Sequence, residues 1–217
     1  MKRPPTPLKR HDASLENRNV LIVGASGSGK SAFLRETVDF KQKRIIAWDP
    51  DEDYSLPRIR TMAAFEKLVK KCGFGPIRCA LTVRPTEENF EKWAALVFAI
   101  CHQAAPMDIL ADEIADVTRV GKAPPNWGEL CRKVRKYGGR LLAITQRPQE
   151  SDKTILNQVE FMWCGALKSA ASYKYMAAEM GVTVQQLQTI KNIHRKQIQY
   201  WIRKGTDKAM LQTIEFR

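Results

Sequence analysis

The sequence predicts an α/β fold, a mainly parallel central sheet with helices on both faces. Three observations predict it. Short apolar, β-branched runs alternate with longer stretches of helical periodicity along most of the chain. The first such run, NVLIV at 19–23, leads straight into the glycine-rich GASGSGKS at 24–31, the strand–loop–helix context in which such a loop carries meaning. Composition agrees: 217 residues, 44% hydrophobic and 27% charged, can bury one substantial core and are short for two.

Residues 1–18, with three prolines and many charges, are expected to form a flexible basic arm. Residues 19–217 then make a single domain, with its core at 19–165 and C-terminal helices and a hairpin at 166–217. The strand at 19–23 passes through the glycine loop into a helix near 30–39. RIIAW gives a second strand at 44–48. The amphipathic stretch 61–72 reads as a helix that Gly73 ends. A strand near 77–83 and a helix near 87–102 follow, then the run MDILA at 107–111. The helix near 126–137 has a capping-box-like start in Asn126 and Glu129. RLLAIT gives a strand near 140–145, and EFMWCG another near 160–165. A helix near 169–180 and a short one over TVQQLQTI precede QIQYWIRKGTDKAMLQTIEF, a C-terminal β-hairpin turning at Lys204–Asp207. Strands that alternate with helices in this way pair in parallel and are covered on both faces.

Several classes are excluded. The longest apolar run, WAALVFAI at 93–100, is too short to span a bilayer, and MKRPPTPLKRHD has no apolar segment behind it to make a secretory signal. A cytoplasmic protein with no transmembrane segment is expected. Five cysteines, odd in number and without a CxxC pair, read as reduced thiols rather than a metal site. The net charge of +13 points instead to a polyanionic partner. Its distribution sharpens this. Residues 118–147 carry eight Lys or Arg against one acid, Glu129, and residues 168–208 carry eight against Glu179 and Asp207. Acids concentrate instead in DPDED at 49–53. Such segregation favours nucleic acid over a uniform solubility charge.

Gly24, Gly29, Lys30 and Ser31 satisfy GxxxxGK[ST]. The loop Gly24, Ala25, Ser26, Gly27, Ser28, Gly29, Lys30, Ser31 is therefore expected to cradle a nucleoside triphosphate. Its glycines let backbone N–H groups converge on phosphates, and the helix that follows adds the positive end of its dipole. Lys30 is expected on the β- and γ-phosphates and Ser31 as a magnesium ligand.

PMDILADEIAD, 106–116, is a short strand, interrupted by Asp108, that ends in Asp112–Glu113. At the C-terminal end of a parallel strand both carboxylates would lie beside the phosphate loop. Asp112 would help hold magnesium, and Glu113 would polarise a water for attack on the γ-phosphate. That is the layout of a hydrolase. The bland alternative is an acidic helix start. RKYGGRLLAITQRPQ, 135–149, carries Thr145, Gln146 and Arg147 at the end of its strand. A glutamine there can contact both the attacking water and the γ-phosphate, and so sense hydrolysis.

GASGSGKS, IIAWDPDEDYS, ILADE and RKYGGRLLAITQRP, in this order over about residues 19–165, resemble the FtsK–HerA superfamily of P-loop ATPases, which pump DNA. WDPDEDY looks like the D-P-x-x-E-Y that follows the second strand in HerA-like members. The resemblance implies a RecA-like P-loop NTPase of the ASCE type, ATP and Mg2+ as cofactors, and a homo-hexameric ring. It also implies a glutamate base, a glutamine sensor and an arginine finger from the neighbouring subunit. By motif match these fall on Glu113, Gln146 and Arg135, with Arg119, Arg132 and Arg140 as rival fingers. The compact chain is most similar to the genome-packaging ATPases of internal-membrane, double-jelly-roll viruses. That implies double-stranded DNA as substrate, a place in the host cytoplasm or at the packaging vertex, and a capsid portal or membrane protein as docking partner.

Movement along arbitrary sequence needs phosphate contacts and little base reading. Arg119 and Lys122 in loop 118–127, with Lys133 and Lys136 beyond it, are the candidate DNA contacts, and Lys191, Arg195, Lys196, Arg203, Lys204 and Lys208 are further cations. Trp48, Trp93 and Trp163 fall in apolar segments and read as core rather than base-stacking platforms. Two rival functions stay open: a nucleoside or nucleotide kinase, and a nucleotide-gated adaptor ATPase of the helicase-loader kind.

Overall fold

A computed structural model of the chain describes residues 9–190, 192–193 and 197–215. The expectations for residues 1–8 and for Lys191, Arg195 and Lys196 lie outside the described residues. In chain order the strands are β1 (Val20–Val23), β2 (Arg44–Trp48), β3 (Arg58–Ile59), β4 (Ile77–Leu81), β5 (Met107–Ala111), β6 (Gly139–Thr145), β7 (Phe161–Cys164), β8 (Asn192–Ile193), β9 (Gln197–Lys204) and β10 (Met210–Glu215). The helices are α1 (Lys30–Thr37), α2 (Met62–Cys72), α3 (Glu87–Ala99), α4 (Pro125–Lys133), α5 (Ala170–Met180) and α6 (Val184–Gln188). One sheet runs in the order β10-β9-β7-β1-β6-β5-β2-β4-β3, with β8 paired to β9. From β7 to β3 every pairing is parallel, and the C-terminal hairpin joins antiparallel to β7.

The central strands are mostly apolar because both of their faces are buried. In β1, Leu21 and Val23 enter one core while Val20 and Ile22 enter the other. The two faces are covered unequally. Phe33 and Leu34 of α1 pack on one side, where the hairpin's Tyr200 stacks on Trp163 at 5.4 Å. Helices α2 to α6 cover the other side through Phe65, Trp93, Trp127, Met176 and Leu187. Trp48, Trp93 and Trp163 are fully buried, as expected of core.

Three expectations are corrected. Asn126 and Glu129 form no capping box: α4 begins at Pro125 with Pro124 as N-cap. Both carboxylate oxygens of Glu91, from α3, instead accept the Asn126 and Trp127 N–H groups at 2.8 Å, and Glu129 pairs with Lys133 at 2.7 Å. The helix is also shorter than 126–137, giving way at Val134–Tyr137 to a tighter turn that Gly138 closes at φ 75°. Within the basic arm, residues 9–18 are fastened rather than free. The Arg10 guanidinium donates to the Cys101 and Ala99 carbonyls, both at 3.0 Å, and lies over the Phe98 and Tyr137 rings. A cation is favoured there, where α3 leaves carbonyls unpaired.

Asp108, which interrupts the β5 run, faces the α1 side. It is matched by Arg140 Nε at 2.9 Å and Gln42 Nε2 at 2.7 Å, which makes it an internal ion pair. No helix among the described residues is long and apolar enough to cross a membrane.

Candidate functional site

Parallel pairing brings the C-terminal ends of β1, β5 and β6 to one edge, where their following residues meet. Val23 of β1 pairs with Thr145 of β6, and Ala111 of β5 with Ala143, so two further residues put Glu113 level with Thr145. Gly24 N–H donates to the Thr145 carbonyl at 3.2 Å and Ala25 N–H to the Ala166 carbonyl at 2.8 Å, which ties the glycine loop to both neighbouring strands. Gly24 admits no side chain, since a Cβ there would lie 3.3 Å from the Trp163 ring and closer still to Ser28. Gly29 turns at φ 99°, and a Cβ on it would come within 2.5 Å of Ile198 in β9. As N-cap of α1, Gly29 offers no side-chain cap, which leaves the first-turn N–H groups for an anion.

The loop opens on a cleft of about 650 Å³ lined by Lys30, Ser31, Tyr54, Asp112, Glu113 and Gln146, among others. Lys30 Nζ donates to the Gly24 and Ala25 carbonyls at 2.8 and 3.1 Å. Burial pulls its pKa down, against the opposing pull of Asp112, Glu113 and Asp53. Burial pushes Asp112 up to about 6, while the Tyr54 hydroxyl (2.8 Å) and the Glu113 N–H (2.9 Å) favour its ionised form.

Glu113 is also raised by burial, against hydrogen bonds from Thr145 Oγ1 at 2.9 Å and Gln146 N–H at 3.1 Å. Its backbone sits at φ 41°, ψ 61°, in the left-handed region that non-glycine residues avoid. Such strain persists only where the surroundings enforce it, and here Thr145 and Gln146 hold the carboxylate from the next strand. A raised carboxylate in this place is suited to take a proton from water.

No family model matches the chain. Protein P9 of Pseudoalteromonas phage PM2 is 54% identical over 210 residues, covering 97% of this chain and 96% of P9. The chain belongs to the P9 family. Among solved structures, the genome packaging NTPase B204 of Sulfolobus turreted icosahedral virus 2, in complex with AMPPCP, has a TM-score of 0.71 at 13% identity, covering 93% of this chain and 98% of B204. EssC (ATPases 2 and 3) of Geobacillus thermodenitrificans has a TM-score of 0.51 at 13% identity, covering 92% of this chain and 40% of EssC. At such identities these likenesses establish the fold, that of a RecA-like P-loop NTPase. The resemblance read from the motifs therefore holds at the level of the fold, which this P9-family chain shares with the packaging NTPase B204.

The structure of the P9-family chain brings together Lys30, Ser31, Asp112, Glu113 and Gln146, and leaves the expected arginines and lysines apart. Arg135 lies ahead of β6, at the sheet's opposite edge, where its guanidinium donates to the Ala13 and Leu15 carbonyls. Arg140 is spent on Asp108. Arg119 is exposed and pairs with Glu87 at 3.3 Å. Arg119 and Lys122 sit on the loop that precedes α4, whereas Lys133 is the last residue of α4 and Lys136 follows it. In the chain the two pairs are divided by α4, nine residues and about 13 Å long.

Sequence reasoning missed four contributors. Tyr54, which donates to Asp112, stands within WDPDEDY with no role that its type or spacing suggests, and the Thr145 hydroxyl joins the Gln146 N–H in holding Glu113. Ile198 reaches the glycine loop from a strand with no motif. Asp152 ties the segment after Gln146 to loop 118–123: its N–H donates to Thr118 Oγ1 at 3.2 Å, and Lys153 N–H donates to the Gly121 carbonyl at 3.0 Å.

Proposed function

We propose that the chain is an ATP-hydrolysing DNA translocase that packages a viral double-stranded DNA genome. The observation that carries this reading is the convergence of Lys30, Asp112, Glu113 and Gln146 on one cleft at the sheet's C-terminal edge. Its likeness to B204, described as the DNA-packaging ATPase of Sulfolobus turreted icosahedral virus, supports it. In this reading the first-turn N–H groups of α1 and Lys30 bind the phosphates of ATP. Glu113 orients and deprotonates the attacking water, and Gln146, whose own N–H holds Glu113, touches the γ-phosphate side.

Ser31 and Asp112 would hold Mg2+. They are an all-oxygen set of the kind that ion accepts, and no group of three His, Cys, Asp or Glu side chains among the described residues forms a separate metal cage. The ion would thus arrive with the nucleotide, where it neutralises phosphate charge.

Arg119 and Lys122 would contact DNA phosphates from an exposed loop, with Lys133 and Lys136 as a second cluster. A homo-hexameric ring would let one subunit supply an arginine to its neighbour's site. Because Arg135 and Arg140 are engaged within their own chain, Arg119 and Arg132 are the first to test. A capsid portal or membrane protein would dock the motor in the host cytoplasm or at the packaging vertex.

ATP turnover with and without double-stranded DNA tests the reading. A translocase is stimulated by DNA of any sequence. Turnover that needs a small phosphate acceptor would make the protein a kinase, and turnover indifferent to both would make it a gated adaptor.

A further inference from the structure

The WDPDEDY segment is the one sequence motif that the phosphate loop, the acidic pair and the sensor leave without a role. Its fold is specific. Asp49, fully buried, accepts the N–H groups of Asp53 at 2.8 Å and Tyr54 at 3.1 Å, and its own N–H donates to the Leu81 carbonyl at 3.0 Å. Glu52 turns at φ 61° to allow this closure. The turn ends on Tyr54, 6% exposed, whose ring stacks on Phe40 at 5.9 Å with 20° between the planes. With ring and backbone both fixed, the phenol has one place to go: its hydroxyl donates to Asp112 Oδ2 at 2.8 Å.

Sheet order explains why a residue so far along the chain arrives there. β2 and β5 are neighbours with Trp48 paired to Ala111, so Asp49 and Asp112 leave the sheet side by side. The other oxygen of Asp112 accepts the Glu113 N–H at 2.9 Å. Each carboxylate oxygen thus has a donor aimed at it from a rigid element, one local and one across the sheet. A carboxylate that must meet a metal–nucleotide complex gains when its orientation is set beforehand. A hydroxyl that only fills space beside a buried acid would have no need of a capped turn to deliver it.

We propose that Tyr54 is a positioning residue for the metal–nucleotide complex: its hydroxyl fixes the orientation of Asp112, and the Asp49-capped turn serves to deliver it. This rests on the nucleotide reading of the cleft. Tyr54→Phe removes only the hydroxyl. The test uses the full chain, AMPPCP, and Mn2+ as a paramagnetic stand-in for Mg2+, with bound Mn2+ read by electron paramagnetic resonance. Loss of one charge-assisted hydrogen bond is expected to weaken Mn2+ binding about tenfold in the presence of the analogue. AMPPCP affinity without metal should stay near wild type, and the melting temperature should fall only by the few degrees that loss of one buried hydrogen bond brings.

Asp112→Asn supplies the second arm. If Tyr54 acts through Asp112, adding Tyr54→Phe to that background causes no further loss. Unchanged Mn2+ affinity in Tyr54→Phe, or an equal loss in both backgrounds, would overturn the proposal. Failure of the wild-type chain to bind AMPPCP would show before any substitution is made and would sink the nucleotide reading itself.

Discussion

Asp152→Ala is expected to destabilise the protein by about 3–5 kcal/mol, although the residue belongs to no motif. Asp152 is fully buried. Its Oδ2 accepts Trp127 Nε1 at 2.8 Å, and its Oδ1 accepts the Thr154 and Ile155 N–H groups at 2.9 and 3.3 Å. Alanine leaves these three donors facing no acceptor, at about 1–3 kcal/mol for each buried group left unsatisfied. They share one carboxylate, so the losses are not additive and the lower part of the range applies. Urea denaturation at neutral pH measures the loss, and a change below about 1 kcal/mol would refute the reasoning. Hydrogen exchange supplies a local reading: the Ala123 N–H bonds Thr154 Oγ1 and the Lys153 N–H bonds the Gly121 carbonyl, so both should exchange faster in the variant. A pH series adds a sign. Burial holds Asp152 above the ordinary carboxylate value, so the unfolded chain ionises first as pH rises above about 4. Between that value and its own raised one, the folded state holds more protons, and the stability this group contributes falls with rising pH. The deficit of Asp152→Ala should therefore be larger in mild acid than at neutral pH.

Lys30→Ala should abolish ATP binding with the fold retained, checked by nucleotide titration beside circular dichroism. Glu113→Gln should still bind ATP but turn over at least ~100-fold more slowly, the scale of a general base; unchanged turnover would move the role elsewhere. Charge reversal at Arg119 and Lys122 should weaken DNA binding alike for unrelated sequences and flatten the plot of log affinity against log salt, by about 0.9 for each phosphate no longer neutralised. Arg135→Ala separates two roles. Loss of its bonds to the Ala13 and Leu15 carbonyls should cost about 1–2 kcal/mol with hydrolysis nearly normal. A finger would instead lose on the order of 10³-fold in turnover and regain some when mixed with Lys30→Ala subunits.

What can be read from the sequence follows from the range over which its signals act. Strands β2 and β5 fall where expected because each is a short, mostly apolar run, and the glycine loop is fixed by residue types at set spacings. The meeting of Glu113 with Gln146 is legible too, since parallel strands must deliver their C-terminal ends to one edge. Strands β3 and β8, two residues each, are too short to carry a period. The Glu91 cap on α4, the Arg10 fastening of the N-terminal segment and the Asp108–Arg140 pair join residues far apart in the chain. Nothing near any of them in sequence announces its partner.

Glu113 shows where the two kinds of signal join. Its identity is readable from ILADE, but its left-handed backbone is not, because the strain has meaning only once Thr145 and Gln146 are in place to hold the carboxylate. In sequence the two strand ends are expected to meet, but nothing says that the Thr145 hydroxyl and the Gln146 N–H will grip this carboxylate. Gly29 makes the same point from the other side. The motif accounts for it through phosphate binding, yet the approach of Ile198 from the C-terminal hairpin independently excludes a side chain there. The hairpin is therefore part of the wall of the cleft. A chain shortened before β9 would keep every motif yet lack the strand that packs against the phosphate loop.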